Sequence, residues 1–342
     1  MEAECWRWRN ASVCETPLTI PEGRATSPPR SDYGYPNLQR RYAILDVFTD
    51  MPLAGNPLAV VPDATGLDDE RMQAIAAEFN LSETVFCLPA ENPVHSARIR
   101  IFTPRKELPF AGHPTVGTAV YLAADRLENG ARLAESVVIL EEKVGPVRCG
   151  VFLRATSGVR AGHAIFDLPK LPEAIPHVLD REAIAAALGL VPSEIGFENH
   201  EPSTWTAGVP YAFVPIRDLA AIGKAAAQPA AWAAAFSGDA AAAFLYTRST
   251  VAVGHQFHGR MYAPTFGIAE DPATGSAVAA FAGVIDRFDA HPAGSHRFVI
   301  EQGFEMGRPS LIALEMDIEG GRIFAARIGG DAVVVAEGTL SV

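Results

Sequence analysis

The sequence predicts an α+β protein built from two related halves, and three observations lead to this prediction. The 342 residues are 49% hydrophobic and 20% charged, which is enough apolar material for two cores. Many short strand-like segments surround only two strongly apolar helices, a pattern typical of α+β folds and not of alternating α/β folds. Two octapeptides, His113–Val120 and Asp271–Val278, match at Pro, Gly, Ala and Val. They lie about half of the folded body apart, which indicates an internal duplication.

The charge and the cysteines restrict the class of protein. The formal net charge is −12 without a basic cluster, which argues against nucleic acid or an anionic membrane as partner. The Ala-rich run 219–245 is interrupted by polar residues and Pro, so no membrane span is predicted. The N-terminus lacks the apolar segment of a secretory signal. We therefore expect a cytoplasmic protein whose four cysteines are reduced thiols: Cys5, Cys14, Cys87 and Cys149.

The first half begins after a segment rich in Pro, Ser, Thr and Arg. We predict that residues 1–40 form a disordered extension, and an upstream start codon explains the same segment equally well. A helix is predicted from about Asp68 to Asn80, because an apolar stripe recurs with helical spacing. Strands are predicted at 42–48, 58–61, 84–88, 97–103, 136–141 and 146–153, with the first central helix after His113.

The second half is predicted to contain two helices before its central helix. Helices are predicted at 181–190 and, as one Ala-rich surface helix, at 219–236. Strands are predicted at 164–168, 206–216, 244–254, 259–262, 297–302, 312–318, 322–328 and 332–340. We predict a first domain of residues 41–160 plus 326–342, carrying Glu83 and His113, and a second domain of 161–325, carrying Asp271 and Ser276.

Each octapeptide has the residues of a helix start. Asp271 is predicted to be an N-cap with a proline at the first helical position, and His113 holds the equivalent place. Gly117 and Gly275 lack a Cβ, so a ligand can approach the backbone there. Helices that are apolar nearly all round are buried, and their N-termini attract anions. The alternative is a chance match between two well-capped core helices.

Side-chain acid/base chemistry remains once other signals are excluded. The sequence has no GxGxxG, Walker, HExxH or GxSxG motif, so we predict no cofactor. His255 and His258 would point to opposite faces of a strand, so no metal site is predicted. The candidate acid/base residues are Glu83, His113 and Asp271. A Glu83 carboxyl partly buried beside an apolar strand would have a raised pKa, although a solvated surface charge is the alternative.

Several segments together resemble the PhzF-like family of phenazine-biosynthesis-type proteins. The resemblance runs from about residue 41 to the C-terminus, and the preceding extension departs from it. It is carried by the segments 46–50, 53–60, 80–86, 101–104, 108–115, 270–277, 302–303 and 306–310.

The resemblance implies a diaminopimelate-epimerase-like fold, with two pseudo-symmetric domains. Each domain has a curved, mostly antiparallel sheet around a central helix, and the active site lies in the cleft between them. Related epimerases carry a cysteine at each helix start. This chain has Ala-Gly-His-Pro and Asp-Pro-Ala-Thr there, which argues against a two-thiol epimerase.

The family's prototype isomerises a dihydro-hydroxyanthranilate without a cofactor. The resemblance implies that Glu83 moves a proton while His113, Asp271 and Ser276 position the substrate. The predicted binding residues are Ser82, Gly112, Gly275 and Ser276. Pocket walls are expected from aromatic residues such as Trp205, Tyr211 and Phe213.

Three functions stay open at this point. The leading hypothesis is a cofactor-independent isomerase acting on a small cyclic or amino/hydroxy carboxylate. The second is an epimerase or lyase that uses the same Glu83 on another small carboxylate. The third is a non-catalytic binding protein of the same fold, which would not need an intact acid/base set. A small carboxylate is the expected partner and a homodimer the expected assembly, whereas the substrate itself is not predicted.

Overall fold

Seventeen strands and six α-helices make up the part of the chain that the computed structural model describes, residues 39–128, 135–154 and 160–342. The strands are β1 (Gln39–Val47), β2 (Asn56–Val61), β3 (Glu83–Leu88), β4 (Ala97–Phe102), β5 (Glu107–Leu108), β6 (Glu135–Glu142), β7 (Gly145–Leu153), β8 (Ala161–Asp167), β9 (Glu173–Ile175), β10 (Ser203–Thr206), β11 (Pro210–Pro215), β12 (Ala243–Thr247), β13 (Phe257–Ala263), β14 (Ile268–Asp271), β15 (Gly294–Gln302), β16 (Ser310–Glu319) and β17 (Arg322–Ser341). The helices are α1 (Asp69–Phe79), α2 (Gly112–Glu128), α3 (Arg181–Leu188), α4 (Leu219–Lys224), α5 (Pro229–Ala235) and α6 (Gly275–Phe288). The α+β prediction is confirmed.

The strands of the first half close into a ring around α2. Successive pairings run β1–β2, β2–β3, β3–β4, β4–β6, β6–β7, β7–β8 and β8–β17, and β17 returns to β1. The pairs β2–β3 and β4–β6 are parallel and the others antiparallel. Val116, Ala119 and Val120 of α2 are fully buried inside this ring. The first central helix is thus a core helix, as predicted.

The second half repeats the same order of pairings around α6. Strands β10 to β13 pair in succession, β13 pairs β15 in parallel, and β15, β16 and β17 follow as an antiparallel meander. The parallel pair β11–β12 corresponds to β2–β3, and the parallel pair β13–β15 corresponds to β4–β6. Helix α6 is buried along its length from Ala277 to Ile285. The internal duplication is therefore present in the fold.

The register of the duplication differs from the one that the octapeptides suggested. Leu108 lies opposite Ile101 in the first half, and Asp271 lies opposite Met261 in the second. The strand residues before the two helices correspond as Leu108 to Asp271. The octapeptide alignment, which matched Asp271 with His113, was wrong because it paired similar residues that lie at different positions relative to the two helix starts.

The helix starts give the same corrected register. Helix α2 begins at Gly112 and α6 at Gly275, so these two glycines correspond and His113 corresponds to Ser276. Gly117 lies inside α2, where an added Cβ would be 2.6 Å from Leu58 Cδ2. The glycine is needed there for helix–sheet packing, and the prediction that it opens the helix start to a ligand was wrong.

Several predicted elements end in different places. Asp68 and Asn80 cap α1 as predicted, the latter with a left-handed backbone at φ 50°. The Ala-rich helix 219–236 was wrong: α4 ends before Pro229, which begins α5, and Ile222 and Trp232 are buried. The strand predicted at 244–254 ends at Thr247, and β14 was missed.

The last two predicted strands are one strand, β17. The two predicted strands left out residues 329–331, which include the adjacent glycines Gly329 and Gly330. A Cβ on Gly330 would clash with the ring of Phe48, and one on Gly329 would lie 2.8 Å from the Ala164 carbonyl oxygen. The glycines allow close packing within a continuous strand.

Strand β17 and a loop after β15 join the two halves. The Arg308 guanidinium donates to Asp46 Oδ1 and to the backbone oxygens of Ala54 and Gly55 in the first half. Strand β8 pairs with β7 and β17, so a boundary near Leu168 suits the sheets better than the proposed boundary at residue 161. The domain division remains a proposal.

Other sequence predictions concern the ends and the thiols. Only Gln39 and Arg40 of the predicted extension lie within the described residues, and both belong to β1. Cys87 and Cys149 are free and buried, as predicted, while Cys5 and Cys14 lie outside the described residues. No helix among the described residues is long and apolar enough to cross a membrane.

Glu142, at the end of β6, holds the first turn of α2. Thr115 Oγ1 lies 2.8 Å from the Ala111 carbonyl oxygen and 2.8 Å from Glu142 Oε1. The hydroxyl has one proton, and the Ala111 carbonyl oxygen also accepts from the Thr115 N–H at 3.2 Å, so either the hydroxyl or a protonated Glu142 can donate in the contact between them. Burial raises the pKa of Glu142 to about 8, in agreement with a protonated acid.

This buried acid makes a pH-dependent contribution to stability. Between pH 4.5 and about 8 the folded chain holds a proton that an unfolded Glu142 has released. Stability is therefore lost as pH rises through this window, at about 1.4 kcal/mol per pH unit for one proton. We expect Glu142→Gln, whose amide can also donate to Thr115, to flatten that slope. Urea unfolding at pH 5, 6.5 and 8 measures it, with surface Glu78→Gln as control; equal slopes in all three proteins would contradict the assignment.

Candidate active site

The N-termini of the two central helices meet backbone to backbone. A Cβ placed on Gly112 would lie 3.3 Å from Gly275 Cα, and one on Gly275 would lie 3.4 Å from Gly112 Cα and 3.2 Å from the Phe48 ring. Glycine at both helix starts suits this close approach, because a Cβ at either position would be crowded by the opposite backbone or by Phe48. Because the first N–H groups of a helix have no partner within it, both helices direct positive partial charge to this junction.

Glu83 and His113 form an acid/base pair beside the junction. Glu83 is the first residue of β3, and its Oε2 lies 3.3 Å from His113 Nδ1 in the first turn of α2. Burial, followed by the nearby Asp271 carboxylate, raises the pKa of Glu83 to about 8. Burial lowers the pKa of His113 to about 3. At neutral pH the imidazole is therefore uncharged, and Glu83 is mostly a neutral acid that can also ionise.

Asp271 comes from the second half and ends β14. Its carboxylate accepts hydrogen bonds from Asn56 Nδ2 at 3.1 Å, from Thr274 Oγ1 at 2.5 Å and from the Ser82 side chain. Burial raises the pKa of Asp271 to about 6, and these donors oppose the shift. Asp271 is therefore ionised at neutral pH while Glu83 is mostly protonated, which separates the roles of the two carboxyls.

The prediction that Asp271 is a helix N-cap was wrong. Thr274 is the residue that precedes α6, and Asp271 lies one turn before it in β14. His113 is likewise inside the first turn of α2 and not before it. Both side chains are thus free of capping and are directed to the junction between the halves, where Asp271 contacts Ser82.

Two amides that sequence reasoning missed fix the segment after Asp271. Asn56 Nδ2 also donates to the Ala273 carbonyl oxygen at 2.9 Å. Gln302 Oε1 accepts from the Thr274 N–H at 3.0 Å, and its Nε2 donates to the Asp271 carbonyl oxygen at 2.8 Å. Both amides lie inside segments that carry the family resemblance, and that was the signal that could have identified them.

The two halves contribute different chemistry to the junction. Ser276 in the first turn of α6 lies 2.8 Å from the Tyr211 hydroxyl. In the first half Thr84 of β3 pairs with Phe102 of β4, and in the second half Ala243 of β12 pairs with Tyr262, the corresponding residue of β13. Ala243 therefore corresponds to Thr84, and Ala242 before it corresponds to Glu83. The carboxyl side chain of Glu83 therefore has no counterpart in the second half.

The histidine pair His255 and His258 lies in a separate cluster. Both Nδ1 atoms meet the buried Glu301 carboxylate, at 2.7 and 2.8 Å, and His258 Nε2 meets Glu305 Oε1 at 3.0 Å. The prediction of opposite faces was wrong, because His255 precedes β13 and strand alternation does not apply to it. Among residues 39–128, 135–154 and 160–342 no group of three or more His, Cys, Asp or Glu side chains is arranged to hold a metal.

Comparison with known proteins agrees with this fold. The model of the phenazine biosynthesis-like protein family, PhzC-PhzF, matches residues 45–338. An uncharacterized isomerase of Mesorhizobium japonicum is 53% identical over 305 residues, covering 88% of this chain and 98% of that protein. The trans-2,3-dihydro-3-hydroxyanthranilate isomerase of Pseudomonas aeruginosa is 34% identical over 301 residues, covering 87% and 98%.

A solved structure extends the likeness to the fold. The crystal structure of a Bacillus anthracis phenazine biosynthesis protein of the PhzF family superimposes with a TM-score of 0.78 at 24% identity, covering 89% of this chain and all of that one. The predicted family and fold are confirmed. The chain belongs to the phenazine biosynthesis-like PhzC-PhzF family and is an enzyme of its isomerase and epimerase class.

Proposed function

We propose that this protein is a cofactor-independent isomerase that moves a proton between two carbons of a small carboxylate. The observation that carries the proposal is the pair of carboxyls at the helix junction, with pKa values of about 8 for Glu83 and about 6 for Asp271. The Glu83 carboxyl can exchange a proton near neutral pH, and the Asp271 carboxylate stays charged. A binding protein would not need two carboxyls tuned in this way.

We assign both steps of the proton transfer, removal and return, to Glu83. Its ionised form removes a proton from one carbon of the substrate, and the electron pair left behind delocalises into the conjugated system. The same carboxyl then returns the proton to a second carbon, so the product is an isomer and Glu83 regains its starting state. The uncharged imidazole of His113 keeps Glu83 oriented without stabilising its anion by a full charge.

The substrate carboxylate is assigned to the junction of α2 and α6. The N–H groups of Gly112–His113 and Gly275–Ser276 lie in first turns, where helix N–H groups have no partner within the helix and both helix dipoles are positive. Asp271, ionised and held by three donors, is suited to an amine or hydroxyl of the substrate. The Pseudomonas aeruginosa relative is named for trans-2,3-dihydro-3-hydroxyanthranilate, a cyclic compound with these groups, and we propose a substrate of that class.

An epimerase that uses two bases on opposite faces of one carbon is the weaker candidate. Ala242 stands where a second carboxyl would be expected from the pseudo-symmetry. The first test is turnover of trans-2,3-dihydro-3-hydroxyanthranilate in deuterium oxide, followed by mass spectrometry and NMR. Isomerisation supports the proposal: the carbon that gains the proton carries deuterium where Glu83 exchanges with solvent during turnover, and protium where Glu83 returns the proton it removed. Inversion of one carbon without a shift of the double bond would replace it with the epimerase.

Substitution of Ser276 tests where the carboxylate binds. We expect Ser276→Ala to weaken substrate binding by roughly 1 kcal/mol, the net value of one hydrogen bond. The measurement is the KM for trans-2,3-dihydro-3-hydroxyanthranilate, with exposed Ser237→Ala as the control. An unchanged KM in Ser276→Ala would show that the carboxylate binds elsewhere.

A further inference from the structure

The side chain of Tyr211 reaches the site from β11 and touches Ser276. Its hydroxyl lies 2.8 Å from Ser276 Oγ, and the residue is only 5% exposed. Burial raises the pKa of Tyr211, and the charges of Asp271 and Glu83 are close enough to raise it further. The phenol therefore keeps its proton at every pH at which the enzyme works.

The duplicated fold shows that packing alone does not require a tyrosine here. The alignment of β2–β3 with β11–β12 makes Leu58 the counterpart of Tyr211, and each follows a proline. Leu58 fills the space beside α2 with an apolar side chain that packs on Gly117. At the corresponding place in the second half, the Tyr211 hydroxyl contacts Ser276 of α6.

The number of available hydrogen-bond partners indicates which of the two hydroxyls, that of Tyr211 or that of Ser276, is the donor. Among the described residues, Ser276 Oγ is the one hydrogen-bond partner of the Tyr211 hydroxyl. If Ser276 donated to Tyr211, the buried phenol proton would have no acceptor, which costs free energy. The phenol therefore donates to Ser276 Oγ, and the serine proton is left to point into the junction.

We infer that Tyr211 is a positioning residue: it holds the Ser276 hydroxyl as an outward donor to the carboxylate of the substrate. A donor that itself accepts a hydrogen bond is polarised and binds an anion more strongly. The arrangement favours a carboxylate over a carboxamide, because the single uncharged oxygen of a carboxamide accepts from the serine more weakly than a carboxylate does. This inference rests on the proposed function, because it assumes that the carboxylate lies at the junction.

Binding of anthranilate tests the inference without turnover. Anthranilate carries a carboxylate and an amine on a six-membered ring, and anthranilamide lacks the carboxylate. Titration calorimetry would compare wild type with Tyr211→Phe, Ser276→Ala and the double variant. Tyr262→Phe is the control, since it also loses one buried hydroxyl hydrogen bond, to the Ala225 carbonyl oxygen, in the same half.

We expect Tyr211→Phe and Ser276→Ala each to weaken anthranilate by about five-fold, and the double variant to be no weaker than Ser276→Ala. Tyr262→Phe should bind as wild type does, and anthranilamide, which has no charged acceptor, should be weakened less than anthranilate by Tyr211→Phe and Ser276→Ala. Additive losses, or a Tyr211→Phe that binds normally while Ser276→Ala does not, would overturn the inference alone. Normal binding by Ser276→Ala, or no binding by wild type, would overturn the carboxylate site itself and the inference with it.

Discussion

Replacing Glu83 by Gln is expected to reduce turnover by about 100- to 10,000-fold, the usual cost of removing one positioned acid/base group. The amide keeps the shape of the side chain and its contact with His113 but cannot exchange a proton with carbon. Folding should be retained, because the substitution removes a buried titratable group whose ionisation is unfavourable there. The measurement is kcat on trans-2,3-dihydro-3-hydroxyanthranilate together with solvent deuterium incorporation.

The pH dependence gives a second readout for Glu83. With its pKa near 8, the ionised base needed for proton removal increases about ten-fold per pH unit below that value. The wild-type kcat/KM should therefore rise towards pH 8 and then level off, and this limb should be absent from any residual activity of Glu83→Gln.

Glu142→Gln provides the matched control for this substitution. Glu142 is also a buried carboxyl of the first half with a pKa of about 8, but its hydrogen bond goes to Thr115. The Glu142→Gln variant should retain both the activity and the pH limb of wild type. Near-wild-type turnover by Glu83→Gln would show that another group moves the proton.

Replacing Asp271 by Asn is expected to impair both binding and rate. The carboxylate accepts from three donors, and an amide in its place presents an N–H₂ to at least one of them. Losing a charged acceptor for the substrate costs about 1.5–3 kcal/mol, which corresponds to roughly 10- to 150-fold in kcat/KM. KM should rise together with the fall in kcat, unlike the pure rate defect expected for Glu83→Gln.

The same substitution should also move the pH profile. The Asp271 charge is the second cause of the raised pKa of Glu83, so removing that charge should shift the rising limb to lower pH. Glu270→Gln is the control, since this neighbouring carboxyl pairs with Arg260. A limb that stays in place in Asp271→Asn would show that the two carboxyls do not interact.

The sequence was sufficient for local elements whose signals are short-range. The caps of α1 and the apolar character of α2 and α6 depend on residues close together in the chain, and these predictions are confirmed. Pairings between distant segments were harder. The break at Gly329-Gly330 was wrong because the reason for these glycines is packing against residues far away in sequence, among them the ring of Phe48.

The residues of the candidate site could be named from the sequence, and their roles stay a prediction, whereas their geometry could not be anticipated. Glu83, His113, Asp271 and Ser276 could be named from the resemblance, and the structure brings all four to the helix junction. The capping role of Asp271 was wrong, because an Asp-Pro pair before an apolar helix reads as an N-cap whether or not a strand ends there. The resemblance includes the segments of Asn56 and Gln302, but what their amides bind could not be assigned, since these hydrogen bonds join segments that only the fold brings together.

The placement of β17 also governs how the chain acquires its structure during synthesis. Gln39 of β1 faces Ser341, and residues 327–341 close the first ring by pairing with β8 and then with β1. That ring cannot close until these residues have left the ribosome, although its other strands end at Asp167. Such distant pairing slows folding, and it keeps the apolar faces around α2 accessible to chaperones or to aggregation while the second half is still being translated.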